Sequence, residues 1–321
     1  MHPIALIFLV SFLTCFIATR LLIRKLQNSG ILGRDVNKPN HVEVPEMGGL
    51  AIVFGMTSGI LIAVSLFTFF NFFPNLNLSL LLAGFSTILL MAIVGIVDDL
   101  LNLRHLIKAS LPLFASFPLV AIKAGTTTMK IPLIGAIDFG IIYTLILIPI
   151  GITGASNVTN MLAGFNGLEA SLGFLAALTL ALIGLKLKAT ESVILLVSLA
   201  GSLLAFLYYN WYPSRIFMGN VGTLMIGATI AASVIIGNYE AAGVIIIIPY
   251  AFDFFIKAAN GFPTDGWWGK YRDGKLYCEG KPISLCQLVM KIFNGISERN
   301  LVLVLIAMEL LFCLVALFLY F

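Results

Sequence analysis

Charge is what this sequence has least of: charged residues fill 11% of its 321 positions, against about a quarter in an ordinary soluble domain. With 60% hydrophobic residues and a mean hydropathy of +1.05, a water-soluble enzyme is excluded. Histidine and cysteine are also scarce, at three and four residues, and no two cysteines stand in CxxC spacing, which excludes a zinc site or a disulfide framework built from cysteine. No small-residue cleavage site follows the apolar stretch from Ile4 to Phe16, which runs straight into Arg20, Arg24 and Lys25. It reads as a retained first span. The net charge of +4 is small and scattered, which excludes a nucleic-acid partner and leaves a topological meaning. Repeats of fixed period and inverted pairs of broken helices are absent too, which argues against a transporter.

What is there is apolar run after apolar run. A bilayer-crossing helix needs about 20 such residues, and ten candidates emerge: Ile4 to Ile23, Leu50 to Phe70, Leu78 to Val97, Leu106 to Ile122, Phe139 to Asn157, Leu168 to Leu185, Val193 to Tyr209, Val221 to Ile236, Ala241 to Ile256 and Leu301 to Phe321. The expected fold is an all-α polytopic membrane protein, one domain over residues 1–321, with a long loop over 258–300. Within that loop YRDGKLY, with Asp273-Gly274 at its centre, predicts a small β-hairpin. All the Lys and Arg except Lys123, Lys130, Lys186 and Lys188 fall in or beside the loops after odd-numbered spans. Basic residues stay on the cytoplasmic side, so those loops are expected in the cytoplasm, with both termini outside.

The acids and amides gather in the same loops, and a site facing the cytoplasm follows. Asp98, Asp99 and Asn102 close the third run; if the helix continues, Asp98 with Asn102, Asp99 with Asn102, or both pairs share a face. Such oxygens suit a magnesium ion carried with a phosphate, although the pair alone also reads as an interfacial stop. Asn157, Asn160, Asn166, Gly167 and Glu169 cluster between runs five and six and supply amide oxygens and backbone groups that lipid-facing helix would not tolerate, with helix-packing polar residues as the alternative. Gly219-Asn220-Val221-Gly222 opens run eight and either presents free N–H groups to an anion or is an ordinary N-cap. Leading into run two, NKPNHVEVPEMGG holds Lys38, which can reach a phosphate, and Gly48-Gly49, which admits close backbone approach. His41 reads as a surface histidine. Two N-x-S/T sequons, at Asn77 and Asn157, carry little weight.

In this order and spacing, the segments from about Asn37 to Leu303 resemble the polyprenyl-phosphate N-acetylhexosamine-1-phosphate transferases, glycosyltransferase family 4. DDLLNLR with Lys108, Asn160 to Ala170, and ISERNL at 296–301 are similar to the archaeal and eukaryotic dolichyl-phosphate branch, whereas PEMGG is closer to bacterial members. The resemblance implies transfer of N-acetylglucosamine 1-phosphate from UDP-GlcNAc to dolichyl or another polyprenyl phosphate in the cell membrane, releasing UMP, as the first step of lipid-linked oligosaccharide assembly for protein N-glycosylation. It also implies magnesium, with manganese as an alternative, and leaves a homodimer open. By position, Asn160 and Asn220 would ligate the metal, Lys108 would hold the lipid phosphate, and Asp98, Asp99 and Asn102 would order phosphates or activate the nucleophile. Lys38, Glu46, Gly48, Asn157, Asn166, Gly167, Leu168 and Glu169 would meet substrate.

Two departures matter. Family members carry Asp where this chain has Asn220, and basic residues early in the loop after span nine, where residues 258–264 have none. Lys257, Lys270 or Arg272 would have to substitute. Two alternatives therefore stand beside the enzyme: a non-catalytic relative that binds lipid phosphate or UDP-sugar, and the same reaction with another UDP-N-acetylhexosamine.

Overall fold

Long apolar runs become single helices, one of them even around an interior Pro249, and in the computed structural model, which describes residues 2–38, 42–131, 135–263 and 265–321, eight helices are long and apolar enough to span a bilayer. These are α1 (Pro3–Asn28), α2 (Gly49–Phe70), α3 (Leu78–Leu101), α7 (Leu168–Leu187), α8 (Thr190–Asn210), α9 (Gly219–Gly237), α10 (Glu240–Ala259) and α12 (Glu298–Tyr320). The fourth and fifth expected spans are composite, and proline is the physical reason. α4 (His105–Ala115) carries Pro112 inside it and stops at Ser116, and α5 (Phe117–Ala121) restarts with proline in its first turn. The fifth begins as a π-helical turn over Tyr143–Leu147 and continues as α6 (Ile148–Met161) past Pro149, since the missing N–H there cannot close the preceding α-turn.

Both composite segments nevertheless pass from one end of the bundle to the other. α9 rises from Gly219 through 19 residues, about 28 Å, and at its far end Asn238 accepts from Thr126 N at 2.6 Å while Tyr143 donates to Glu240. The Asp98 end of α3 and the Asn157 end of α6 lie at the start of α9, so 105–121 and 143–161 each cross. The Phe321 carbonyl accepts from Lys186 at 3.2 Å, which puts the C-terminus at that same far end.

α8 and α9 are buried along nearly their whole length, while α1 and α12 keep apolar faces exposed, among them Leu13, Ile17, Leu21, Leu314 and Phe318. Where α3 crosses the start of α9 there is no room for a side chain: a Cβ on Gly95 would stand 2.5 Å from Val221 Cα and 2.7 Å from Asn220 O. Small residues at such crossings let membrane helices approach backbone to backbone.

Three antiparallel hairpins decorate the ends. β1 (Leu32–Arg34) pairs with β2 (Glu43–Pro45), β3 (Thr128–Ile131) with β4 (Gly135–Asp138), and β5 (Lys270–Arg272) with β6 (Lys275–Tyr277). The third is the hairpin that Asp273-Gly274 predicts; it docks through Leu276, which exchanges backbone bonds with Ile296, beside the short amphipathic α11 (Leu285–Ile292). The first two were not legible as strands. β1–β2 is stitched to the start of α9, with Phe217 N donating to Pro45 O at 2.7 Å and Gly48 N to Phe217 O at 2.8 Å.

Candidate active site

The three polar residues that end α3 take three separate roles. Asp98, 3% exposed, accepts from Leu103 N and pairs with Lys108 Nζ of α4 at 2.5 Å. Asp99 turns to α9 and accepts from the backbone N–H groups of Asn220 (2.8 Å) and Val221 (3.2 Å). A carboxylate there satisfies two of the donors that a helix N-terminus leaves open and lies at the favourable end of its dipole. Asn102 does not continue the helix: it is the left-handed cap, φ 48°, with an exposed side chain. Neither expected face, Asp98/Asn102 nor Asp99/Asn102, therefore forms, because α3 ends one residue too early.

Lys108 joins the first two motifs to the third. Its ammonium donates to Asn220 Oδ1 at 3.1 Å as well as pairing with Asp98. One turn further on, Thr223 donates to Asn160 Oδ1 at 2.6 Å, bringing the amide of α6 beside that of α9. Asn157, on α6, donates to Ala109 O and lines the same space. Each of the Asn160 and Asn220 carbonyl oxygens thus has one donor and one lone pair to spare. Among the described residues no three His, Cys, Asp or Glu side chains form a metal-ligand group. Two neutral oxygens facing one cavity fit a hard cation that keeps waters and takes its remaining ligands from substrate phosphates.

Lys38 does something other than wait for a phosphate. It pairs with Glu298 Oε2 at 2.6 Å and Asp35 Oδ2 at 3.0 Å, and lies 4.4 Å above the Tyr212 ring. Burial disfavours its charge, but Glu298 and Asp35 outweigh it and its pKa rises above the ordinary lysine value. Asn166, 3% exposed, completes this clasp: its side-chain amide donates to Asp35 and Glu298, and its Oδ1 accepts from Ser214 N at 2.7 Å. Asn166 is thereby held by protein partners at every polar atom of its side chain. Gly48, Gly167 and Leu168 support the site from outside the cavity. Gly48 packs under Phe206, Gly167 turns at φ 81° against Trp211, and Leu168 is fully buried.

Glu169 accepts from Gly164 N at 2.5 Å. Lys257 pairs with Asp253 at 2.7 Å, donates to Met161 O at 2.5 Å and lies 5.5 Å from the Trp267 ring centre. Of the three proposed substitutes for the missing basic cluster, Lys257 alone lines the cavity. Lys270 and Arg272 are solvent-exposed on the hairpin and both pair with Glu279. His41 lies outside the described residues, as does Thr264.

These groups surround one cavity of about 1010 Å³ at the end of the bundle away from the C-terminus, lined among others by Glu46, Lys108, Asn157, Asn160, Glu169 and Asn220. Burial and the nearby Asp99 charge raise the pKa of Glu46. Sequence reasoning missed four contributors to the site: Arg34 and Trp267 on the wall, and Asp35 and Glu298 in the clasp. The adjacency of Arg34, Asp35 and Lys38 in a loop that also ends at a Gly-Gly was a usable signal for the first hairpin. Glu298 lies within the ISERNL segment that carries part of the resemblance, and that was its signal.

Comparisons with known proteins point to one family. Residues 80–238 match the family model described as glycosyl transferase family 4. The chain is 37% identical over 311 residues to a protein of Saccharolobus solfataricus named as a putative UDP-N-acetylglucosamine–dolichyl-phosphate N-acetylglucosaminephosphotransferase, spanning 96% of this chain and 94% of that one. A protein of the same name in Sulfolobus acidocaldarius is 37% identical over 96% of this chain and 93% of its own length. A Dictyostelium discoideum UDP-N-acetylglucosamine–dolichyl-phosphate N-acetylglucosaminephosphotransferase is 29% identical over 73% of this chain and 66% of its own length.

Proposed function

The chain belongs to glycosyl transferase family 4, and we propose that it transfers N-acetylglucosamine 1-phosphate from UDP-GlcNAc to dolichyl phosphate, giving UMP and a GlcNAc-diphospho-lipid. The observation that carries this reading is the meeting of Lys108, Asn160 and Asn220 on one cavity at one end of a membrane bundle. An oxygen of the lipid phosphate attacks the sugar-linked phosphorus; that P–O bond forms as the bond to the UMP oxygen breaks, and UMP departs with the electron pair. A phosphate monoester is already largely ionised near neutral pH, so no general base is needed. The protein's task is positioning and charge compensation.

Lys108, aimed by Asp98, meets the acceptor phosphate, and Asp99 fixes the start of α9 so that Asn220 faces the cavity. Asn160 and Asn220 would hold magnesium or manganese, which supplies positive charge to the donor diphosphate. The cavity opens on the cytoplasmic face of the cell membrane with both termini outside, a reading supported by the basic residues that crowd the site end. The product begins lipid-linked oligosaccharide assembly for protein N-glycosylation.

Purified protein given UDP-GlcNAc and dolichyl phosphate is expected to release UMP and label the lipid with sugar only when magnesium is added. Absence of UMP under all metal conditions would overturn the reaction. The amide at 220 favours one second reading, a relative that binds without turnover. Asn220→Asp restores a charged oxygen, and the magnesium concentration for half-maximal rate is expected to fall about tenfold. Turnover by Asn220→Asp alone, with none by the natural chain, would establish the binding relative instead.

A further inference from the structure

Three cations line the cavity, Arg34, Lys108 and Lys257, and they are not equivalent. Lys108 is matched by Asp98 at 2.5 Å and Lys257 by Asp253 at 2.7 Å. Arg34 has no ion pair among the described residues. The wall also carries Asp35, Glu46 and Glu169, and behind it stand Asp98, Asp99 and Asp253 as well as the Lys38–Glu298 pair. The surroundings of this cavity are therefore net anionic, which opposes any polyphosphate substrate unless a cation is free to meet it.

Arg34 is also presented from a fixed post. Its backbone pairs with Glu43 in the β1–β2 register, the residue before it pairs with Val44, and Asp35 after it is buried and held by Val42 O, Lys38 and Asn166. Both neighbours being anchored, only the long side chain can move. A guanidinium offers a planar fork of donors that matches two phosphate oxygens at once.

We propose that Arg34, the uncommitted cation of the cavity wall, binds the diphosphate of the nucleotide-sugar donor. This rests on the reading that the donor is a UDP-sugar. The acceptor's phosphate has the same chemistry, so the test must separate the two sources.

Binding of UDP and of uridine to the purified full chain is measured calorimetrically for the natural protein, Arg34→Gln and Arg34→Lys, together with initial rates against donor and acceptor. Arg34→Gln is expected to weaken UDP about tenfold, as loss of one charge-assisted contact does, and to leave uridine unchanged. Arg34→Lys recovers part of the loss, and KM rises for UDP-GlcNAc but not for dolichyl phosphate. Unchanged UDP affinity, an equal loss for uridine, or a rise confined to the acceptor KM would each overturn the assignment. UMP release insensitive to Arg34→Gln removes Arg34 and leaves the reaction standing. Arg34-dependent UDP binding with no UMP release does the reverse, and a natural chain that binds no UDP removes both.

Discussion

Glu46 carries a carboxyl whose pKa is raised, first by burial and then by the neighbouring Asp99 charge. A group raised on folding contributes stability that is fully present below its unfolded value and is lost as pH climbs through its folded value. Near neutral pH the ionised Glu46 therefore works against the fold, and Glu46→Gln is expected to melt higher there than the natural chain, with the gap closing at acid pH. A gap that is the same at both pH values would contradict this account. Lys38 shows why such partnerships escape a reading of the sequence. A lysine in a proline-stiffened loop suggests a phosphate ligand, but its strongest partner is Glu298, far along the chain and in a different motif. Asn166, expected to meet substrate, has its amide spent on Asp35, Glu298 and Ser214. Local spacing shows which residues are polar and near a membrane face; it does not show which of them satisfy one another.

The eight long helices were legible to within a few residues, α10 with its interior Pro249 among them, because the bilayer demands long apolar runs. Of the three expected spans that contain proline, Ala241 to Ile256 folds as one helix around Pro249, whereas Leu106 to Ile122 and Phe139 to Asn157 fold as broken segments. The β1–β2 hairpin was missed for a different reason. Three-residue strands have too few positions for alternation to register; β5–β6 was given away by Asp273-Gly274, whereas β1 and β2 have no such turn between them and are held by Phe217 from a distant segment. Gly95 tests how tightly the elements around the site are joined. A methyl group there would meet Val221 and Asn220 backbone, so Gly95→Ala must part α3 from α9. The expected cost is about 1–3 kcal/mol, the usual range for overpacking, read as a lower melting temperature. Activity should fall further than the lost stability explains, since Asp99 loses its grip on the start of α9. A variant that melts and works normally would mean that the crossing is looser than it looks.

The whole molecule is one-sided. Every cavity-lining polar group belongs to the end where α3 and α6 finish and α9 begins, whereas the opposite end is closed by short contacts such as Asn77 to Glu191 and Thr126 to Asn238. That asymmetry was already visible in where the basic residues fall, because a global rule of insertion, not a local contact, sets it. Lys275, exposed on the third hairpin, reports it directly. With Cys278→Ser removing the half-buried native thiol, Lys275→Cys is expected to react with a membrane-impermeant maleimide in inverted vesicles and not in right-side-out ones. Labelling confined to right-side-out vesicles would reverse the orientation.

The clasp of Lys38, Asp35, Asn166 and Glu298 also imposes an order on biosynthesis. Glu298 opens the final helix, 260 positions after Lys38, an interval of at least about ten seconds at ordinary rates of translation. Until the ribosome has delivered it, Lys38 lacks its shorter ion pair and the backbone N–H of Asn166 lacks its acceptor. The chain thus emerges into the bilayer with its catalytic end unfinished, and nascent proteins stalled before α12 would be ready clients for whatever shields polar groups in a newly inserted bundle.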